Sequence, residues 1–247
     1  MKARIKFRKY GVLKFIGHLD VMRYFQKAMR RAEIPIAFTG GYSPHMIMSF
    51  AQPLGLGITS EGEYLDIELQ EPIASVDAVN QLNATMVDGI DVVSFKEISE
   101  DKKSSGMTIV AAAEYLIVPK DMEENALSDH HSKTAVFPEE WKSAICDFMS
   151  QDEIVVLKKT KKSEKEVNVK PMIYGFHMDD AGIHLFLAAG SEANLKPDLV
   201  MDTFLDYLKI QKSEMPLHYH RVEVFAKNPD SEEPKYVSLE SLGREII

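Results

Sequence analysis

The chain has 247 residues, 45% of them apolar, a net charge of −9 and a single cysteine. That length and apolar content give either one large globular domain or two smaller ones, with enough material for a real core. No stretch approaches the roughly 18 apolar residues of a membrane span. Cys146 alone excludes a disulfide framework, a zinc knuckle or a cysteine-held iron–sulfur cluster within one chain.

The first residues form an amphipathic, basic stretch in place of a signal-peptide layout, so the cytoplasm is the expected location and no membrane partner is expected. The charge is uneven. Residues 1 to 31 carry ten Lys/Arg against one acid, Asp20, which is +9 there and therefore −18 over the remainder. One face is expected to attract anions. In "ARIKFRKY" Ile5 and Phe7 alternate with Arg4, Lys6 and Arg8, the period-2 pattern of a strand with one buried face.

"HLDVMRYFQKAMRRAEI" follows with helical spacing. Val21, Met22, Phe25, Ala28, Met29 and Ala32 share one side, and Arg23, Lys27, Arg30 and Arg31 the other. Pro35 stops the helix. After a special loop, "MIMSF" reads as a short strand and "EYLDIELQEP" as a longer one with Tyr64, Ile67 and Leu69 inward. "SVDAVNQLNATM" is a helix capped by Ser75, with Val76, Val79, Leu82 and Met86 at helical spacing, and "GIDVVSFKEI" closes with a strand. The order is βαββαβ, a ferredoxin-like split unit spanning residues 1–99.

"EDKKSSG", residues 100 to 106, suits a linker or a long hairpin connection. Beyond it the pattern gives a strand ("EYLIVP"), a helix ("PEEWKSAICDFM"), further strands in "EIVVLKKT", "VNVKPMIYGFHM" and "GIHLFLAAG", a helix from about Pro197 to Ile210, and a final strand "LHYHRVEVF". Residues 107–247 are therefore expected to form a second ferredoxin-like unit. The fold class is α+β: two such units, antiparallel sheets with helices packed on one face. Residues 121 to 135 read as a loop, and Cys146 as a buried, inert thiol within an apolar stripe.

The corner after the first helix, "FTGGYSPHMIMSF", concentrates special residues. Gly40 and Gly41 permit positive φ and close backbone approach, while Pro44 stiffens the turn and pushes Ser43 toward an extended conformation. Tyr42 and His45 are then held at the surface beside the basic helix. Glycine-turn amides with guanidinium forks make a seat for phosphate, and an exposed tyrosine stacks on a base. The ordinary alternative is a chain reversal with Tyr42 on the core and His45 bonded locally. The basic row also has an ordinary reading as a solvated helix face, with Arg30 and Arg31 at the negative end of the dipole. Against it, only Asp20 interrupts the run of cations.

His18, Asp20 and His45 are candidate catalytic residues if the helix start and the corner meet in space, as an acid–base couple or as ligands. No metal-ligand spacing of the His-x-x-x-His kind occurs, so neither a metal nor a cofactor is expected. "DHH" at 129 to 131 is read as adventitious, and His218 and His220 as core or edge packing on one strand face. "KKTKKSEKEVNVK" at 158 to 170, with six lysines against two glutamates, is a solvated hairpin tip or a second, salt-sensitive contact for nucleic acid.

Residues 14 to 69 resemble the domain of unknown function attached to, or encoded beside, radical-SAM proteins, the radical-SAM-linked or DUF2344 family. The resemblance rests on His18-Leu19-Asp20 near a helix start, Arg23, the double arginine Arg30-Arg31, the loop Gly41-Tyr42-Ser43-Pro44-His45, then Ser49, Gly55, Glu63 and Asp66. "VNVKPMIYGF" and "LKPDLVMDTFL" extend it over most of the chain. Ser43 stands where the family has Asn, Met46 where it has a second Pro, and Gly17 where a Ser cap is usual; the first two imply a looser loop. At the level of fold alone the chain also resembles, distantly, the RNA-processing endoribonucleases of CRISPR systems.

The resemblance implies a radical-SAM protein as partner and a role in substrate recognition. The chain itself lacks the three clustered cysteines of radical-SAM chemistry. The expected function is that of a non-catalytic accessory protein that binds RNA or another anionic substrate. Its binding residues are Arg23, Lys27, Arg30, Arg31 and the corner Gly40, Gly41, Tyr42, Ser43, Pro44 and His45. The alternatives are a metal-independent ribonuclease or transferase using His45 and His18, and a purely structural adapter.

Overall fold

The nine strand stretches and four helices that hydrophobic periodicity marks fall in place or within a few residues, "VNVKPMIYGFHM" being divided between two strands, with small additions at the joints. The computed structural model describes residues 1–122, 135–159, 164–228 and 235–247. It is a mixed α+β protein whose contacts divide into two units: residues 1–112 with 221–247, and residues 113–220. The segment expected to close the second unit therefore lies, from Arg221 onward, with the first.

In unit 1, β1 (Lys2–Lys9) pairs antiparallel with β3 (Thr59–Glu68) on one side and β4 (Ile90–Ile98) on the other, and β2 (Met48–Phe50) pairs antiparallel with β3. Helices α1 (His18–Arg31) and α2 (Ser75–Asn83) make the two crossovers. Their apolar faces meet Ala3, Ile5, Phe7, Leu65, Ile67, Leu69, Val92 and Phe95 in one core, where Phe7 and Phe25 approach to 4.7 Å between ring centres. Val21, Phe25, Ala28 and Met29 are buried along α1 as the 100° spacing requires.

Helix α1 ends before Pro35. The Ile34 amide donates to Met29 O and the Glu33 amide to Arg30 O, with Glu33 in the left-handed region at φ 52°. This is the Schellman arrangement, with a glutamate where glycine is usual. At the other end Gly17 offers no side-chain cap. The Ser75 cap is corrected too: Ala74 is the cap residue of α2, and the Ser75 hydroxyl accepts the Ile246 amide at 2.9 Å.

The second face of β1 departs most from expectation. Arg4 is 3% exposed: its Nε and Nη2 donate to the two Asp66 oxygens at 2.7 and 2.9 Å, and further bonds reach Leu239 O and Ser104 O. Lys6 donates to Glu223 and Glu240. Two added elements cover this face: the 100–106 stretch, which folds into a 3-10 turn (Lys102–Ser104) and a short helix α3 (Gly106–Ile109), and the C-terminal segment with β11 (Tyr236–Ser238) on β10 (Leu217–Lys227). The Gly106 amide donates to Asp66 at 2.6 Å. A stretch read as a linker is thus a packed lid on a buried ion pair. Tyr64 is buried on this same face, donating to Glu223 at 2.6 Å, so both faces of β3 are covered.

Unit 2 lays its strands in the order β10, β5 (Val110–Pro119), β9 (Ile183–Ala188), β8 (Ile173–Met178), with only residues 217–220 of β10 counted in it and the rest of that strand in unit 1. Helix α4 (Trp141–Ser150) follows β5 and α5 (Pro197–Leu208) follows β9. A separate hairpin, β6 (Val155–Lys159) with β7 (Glu164–Asn168), is inserted before β8. Trp141 meets Phe137 and Phe204, and Phe148 meets Phe204 and Tyr207. Cys146 is exposed, correcting its expected burial. The buried stripe of α4 is Trp141, Ile145, Phe148 and Met149, and Cys146 sits 100° past Ile145. His218 and His220 are buried together on β10, as their shared parity requires. The 129 to 131 histidine pair, most of the 121 to 135 loop and the lysine-rich tip lie outside the described residues.

Candidate anion-binding surface

The corner is a short ladder closed by a turn. Ile36 bridges Leu69, the Ala37 amide donates to Glu68 O, and the chain returns with Ile47 donating to Ala37 O. Phe38 bridges Met46, and the Thr39 amide donates to His45 O at 2.9 Å. Met46 is 4% exposed and anchors the returning arm in the core. The base is thereby pinned.

Residues 40 to 45 stand in solvent above that base. Gly41 adopts φ 99°, a conformation costly for residues with a Cβ; Gly40 does not use its freedom in this way. His45 is held locally, its amide donating to Thr39 Oγ1 and its Nδ1 lying 3.1 Å from the same oxygen. Tyr42 is 111% exposed, as open as in an extended chain, which corrects the option of packing on the core.

The cations of α1 face outward with unequal freedom. Arg23 pairs with Asp20 at 3.3 Å, three residues back. Arg31 Nη2 donates to Thr85 O beyond α2, and its side chain lines an open groove of about 520 Å³ that also holds Glu33 and Glu71. Two carboxylates against one guanidinium make that groove a poor anion seat. Lys27 and Arg30 lie exposed between them. Among the described residues, no hydrogen bond or ion pair joins the corner to these cations.

His18, Asp20 and His45 have different neighbours. His18 packs edge-on against Phe50 at 5.0 Å, Asp20 holds Arg23, and His45 holds Thr39. Beside His18 lies a group whose pairing the sequence did not disclose, although the family resemblance included Glu63. Glu63 and Arg221 form a fully buried ion pair, with the Lys9 ammonium donating to Ile16 O at 3.2 Å. Burial pushes the Glu63 carboxyl up, with Arg221, Ser60 and Lys9 opposing, and burial lowers Lys9 against the pull of Glu63. A local signal was Lys9 breaking the alternation of β1, since it follows Arg8 on the buried parity.

On the same unit, Val12 and Phe15 of a 3-10 turn (Gly11–Phe15), Leu19 of α1 and Leu56 are exposed large apolar side chains. The Gly57 amide donates to Lys14 O at 2.9 Å, tying the two loops together.

The profile of DUF2344, described as an uncharacterized protein conserved in bacteria, matches residues 2–197. The chain belongs to the DUF2344 family. The match takes in α1, the corner and most of unit 2, so these features lie inside the DUF2344 region and not in an appendage. A search of the curated proteins finds no match.

Proposed function

We propose that this DUF2344 protein is a non-catalytic accessory protein that binds RNA through the corner and the outer face of α1, on behalf of a radical-SAM partner. The observation that carries the reading is Tyr42: a whole aromatic ring held in water above a pinned base, with no core role. Aromatic platforms beside cations bind single-stranded nucleic acid, each stacked base contributing about 1–3 kcal/mol. Lys27 and Arg30 supply the charge. Three of the five cations of β1 do not, because Arg4, Lys6 and Lys9 are committed inside the unit.

The radical-SAM partner rests on the family resemblance, and the exposed Val12, Phe15, Leu19 and Leu56 offer it an apolar seat. The strand orders support reading each unit as ferredoxin-like. In both, the first strand lies between the third and the last, with helices in the two crossovers. The separate surroundings of His18 and His45 give the nuclease reading no support.

The test is binding of single-stranded RNA at low and moderate salt. Wild type is expected to retain it with an affinity that falls as salt rises, and Tyr42→Ala to weaken it by roughly tenfold. Lys27→Glu with Arg30→Glu should flatten the salt slope by about one to two units. No retention at low salt, or an unchanged slope in the charge variant, removes the proposal.

A further inference from the structure

We propose that the β8–β9 hairpin of unit 2 holds a divalent first-row transition ion between His177, Asp179 and His184. His177 and His184 are Cα partners across the antiparallel pair, and their imidazoles stack at 4.1 Å with 7° between planes. Asp179 opens the turn and folds back over it. Its Oδ1 accepts the Ala181 and Gly182 amides at 2.9 and 3.2 Å and lies 3.2 Å from His184 Nε2; its Oδ2 lies 3.8 Å from His177 Nε2. One donor atom from each residue thus falls within 4.8 Å of the others.

Bonds of about 2.0–2.2 Å place ligand atoms roughly 3–3.5 Å apart around an ion, so a contraction of about 1 Å closes the site. The turn is a firm base for that. Gly182 sits at φ 149°, and a Cβ there would fall 2.5 Å from Ile117 O, which means the turn is pressed onto β5. From β5, Glu114 Oε1 lies 3.9 Å from His184 Nδ1. That is beyond hydrogen-bond distance, but a carboxylate on this side favours the ring orientation in which the other nitrogen faces the metal, and a shift of under about 1 Å brings it into bonding range.

Two imidazoles and one carboxylate are the donor set of zinc and its neighbours, not of calcium or magnesium. His177 and Asp179 are half-exposed, which leaves coordination positions open to water or to a donor from a bound molecule. The absence of His-x-x-x-His spacing does not bear on this site. Its histidines come from opposite arms of a hairpin, equidistant from the turn 179–182.

Titration calorimetry of the metal-stripped full chain with Zn2+ is expected to show one equivalent. His177→Ala with His184→Ala should abolish it, and Glu114→Gln should weaken it by roughly tenfold to a hundredfold. His130→Ala with His131→Ala should retain the equivalent, which separates this site from the other histidine pair. In the unmodified chain, Zn2+ should shift the proton resonances of two of the eight imidazoles, a readout free of any folding defect in the variants. No uptake by the wild-type chain, or uptake unchanged in the His177/His184 variant, overturns the proposal.

Discussion

Unit 1 and unit 2 lay four strands in one order and bridge them with helices in the same two places, yet they fill their interiors differently. Unit 1 buries ion pairs: Arg4 with Asp66 and Glu63 with Arg221. Both bury rings, Phe7, Phe25 and Phe95 in unit 1 and Trp141, Phe148 and Phe204 in unit 2, but among the described residues of unit 2 the buried titratable side chains are His218, His220 and Tyr115, none of them a carboxylate, a lysine or an arginine. The same topology therefore does not dictate the chemistry of the core. In unit 1 the second sheet face is covered by the C-terminal segment, so side chains that would be solvated on a half-open sheet had to find partners.

The contrast breaks most sharply under truncation. Arg4→Ala leaves the Asp66 carboxylate enclosed without its guanidinium and should cost about 3–5 kcal/mol in denaturant unfolding. Replacing both partners, Arg4→Met with Asp66→Leu, should restore most of that loss, because no charge is stranded. In unit 2, Phe204→Ala should also cost about 3–5 kcal/mol, by cavity formation. Removing a second aromatic there, Phe148→Ala, should add to the loss instead of relieving it. If the Arg4/Asp66 double replacement is no more stable than Arg4→Ala, the pair is not the cause.

A smaller pair of changes probes the two left-handed residues around the corner. Gly41→Ala meets no atom within 4 Å, so its cost is backbone strain alone, roughly 1–2 kcal/mol. Glu33→Gly removes the same kind of strain at the end of α1 and should stabilise by about 1 kcal/mol. Thermal melts of the two variants should move in opposite directions. A shared direction would mean that the left-handed geometry is not what sets these positions.

Much of the fold was legible because periodicity reports burial. The α1 stripe, Ile5 with Phe7, and the paired inward histidines of β10 all follow from spacing. What misled was the assumption that a charged strand face meets water. Arg4 and Lys6 alternate just as solvated residues do, and their partners lie far along the chain: Asp66, Glu223 and Glu240. No local pattern encodes a pairing of that separation, nor the lid that encloses it. The same reason hid His177 and His184, whose meeting depends on hairpin register, and overstated the anionic attraction of the N-terminal segment. The corner was more legible, since Gly41, Pro44 and the exposed Tyr42 act through local backbone chemistry.

The gentlest test concerns the Lys6 cluster at the edge of the unit 1 charge network. Burial alone would raise the Glu240 carboxyl, but the hydrogen bonds from Lys6 and Ser94 and the Lys6 charge hold it below its ordinary value of 4.5. A carboxyl depressed on folding binds fewer protons in the native chain than in the unfolded one. Its contribution is present above the unfolded value and is lost as pH falls through the folded one. Lys6, whose own burial penalty is outweighed by Glu223 and Glu240, is raised above 10.5, so its contribution fails only in strong alkali. Glu240→Gln should therefore cost under about 1 kcal/mol at neutral pH, since this group is partly open to solvent. It should also flatten the decline of melting temperature below about pH 4.5, while leaving the plateau between pH 6 and 8 parallel to wild type. An acid limb as steep in the variant as in wild type would place the titration elsewhere and overturn this assignment to Glu240.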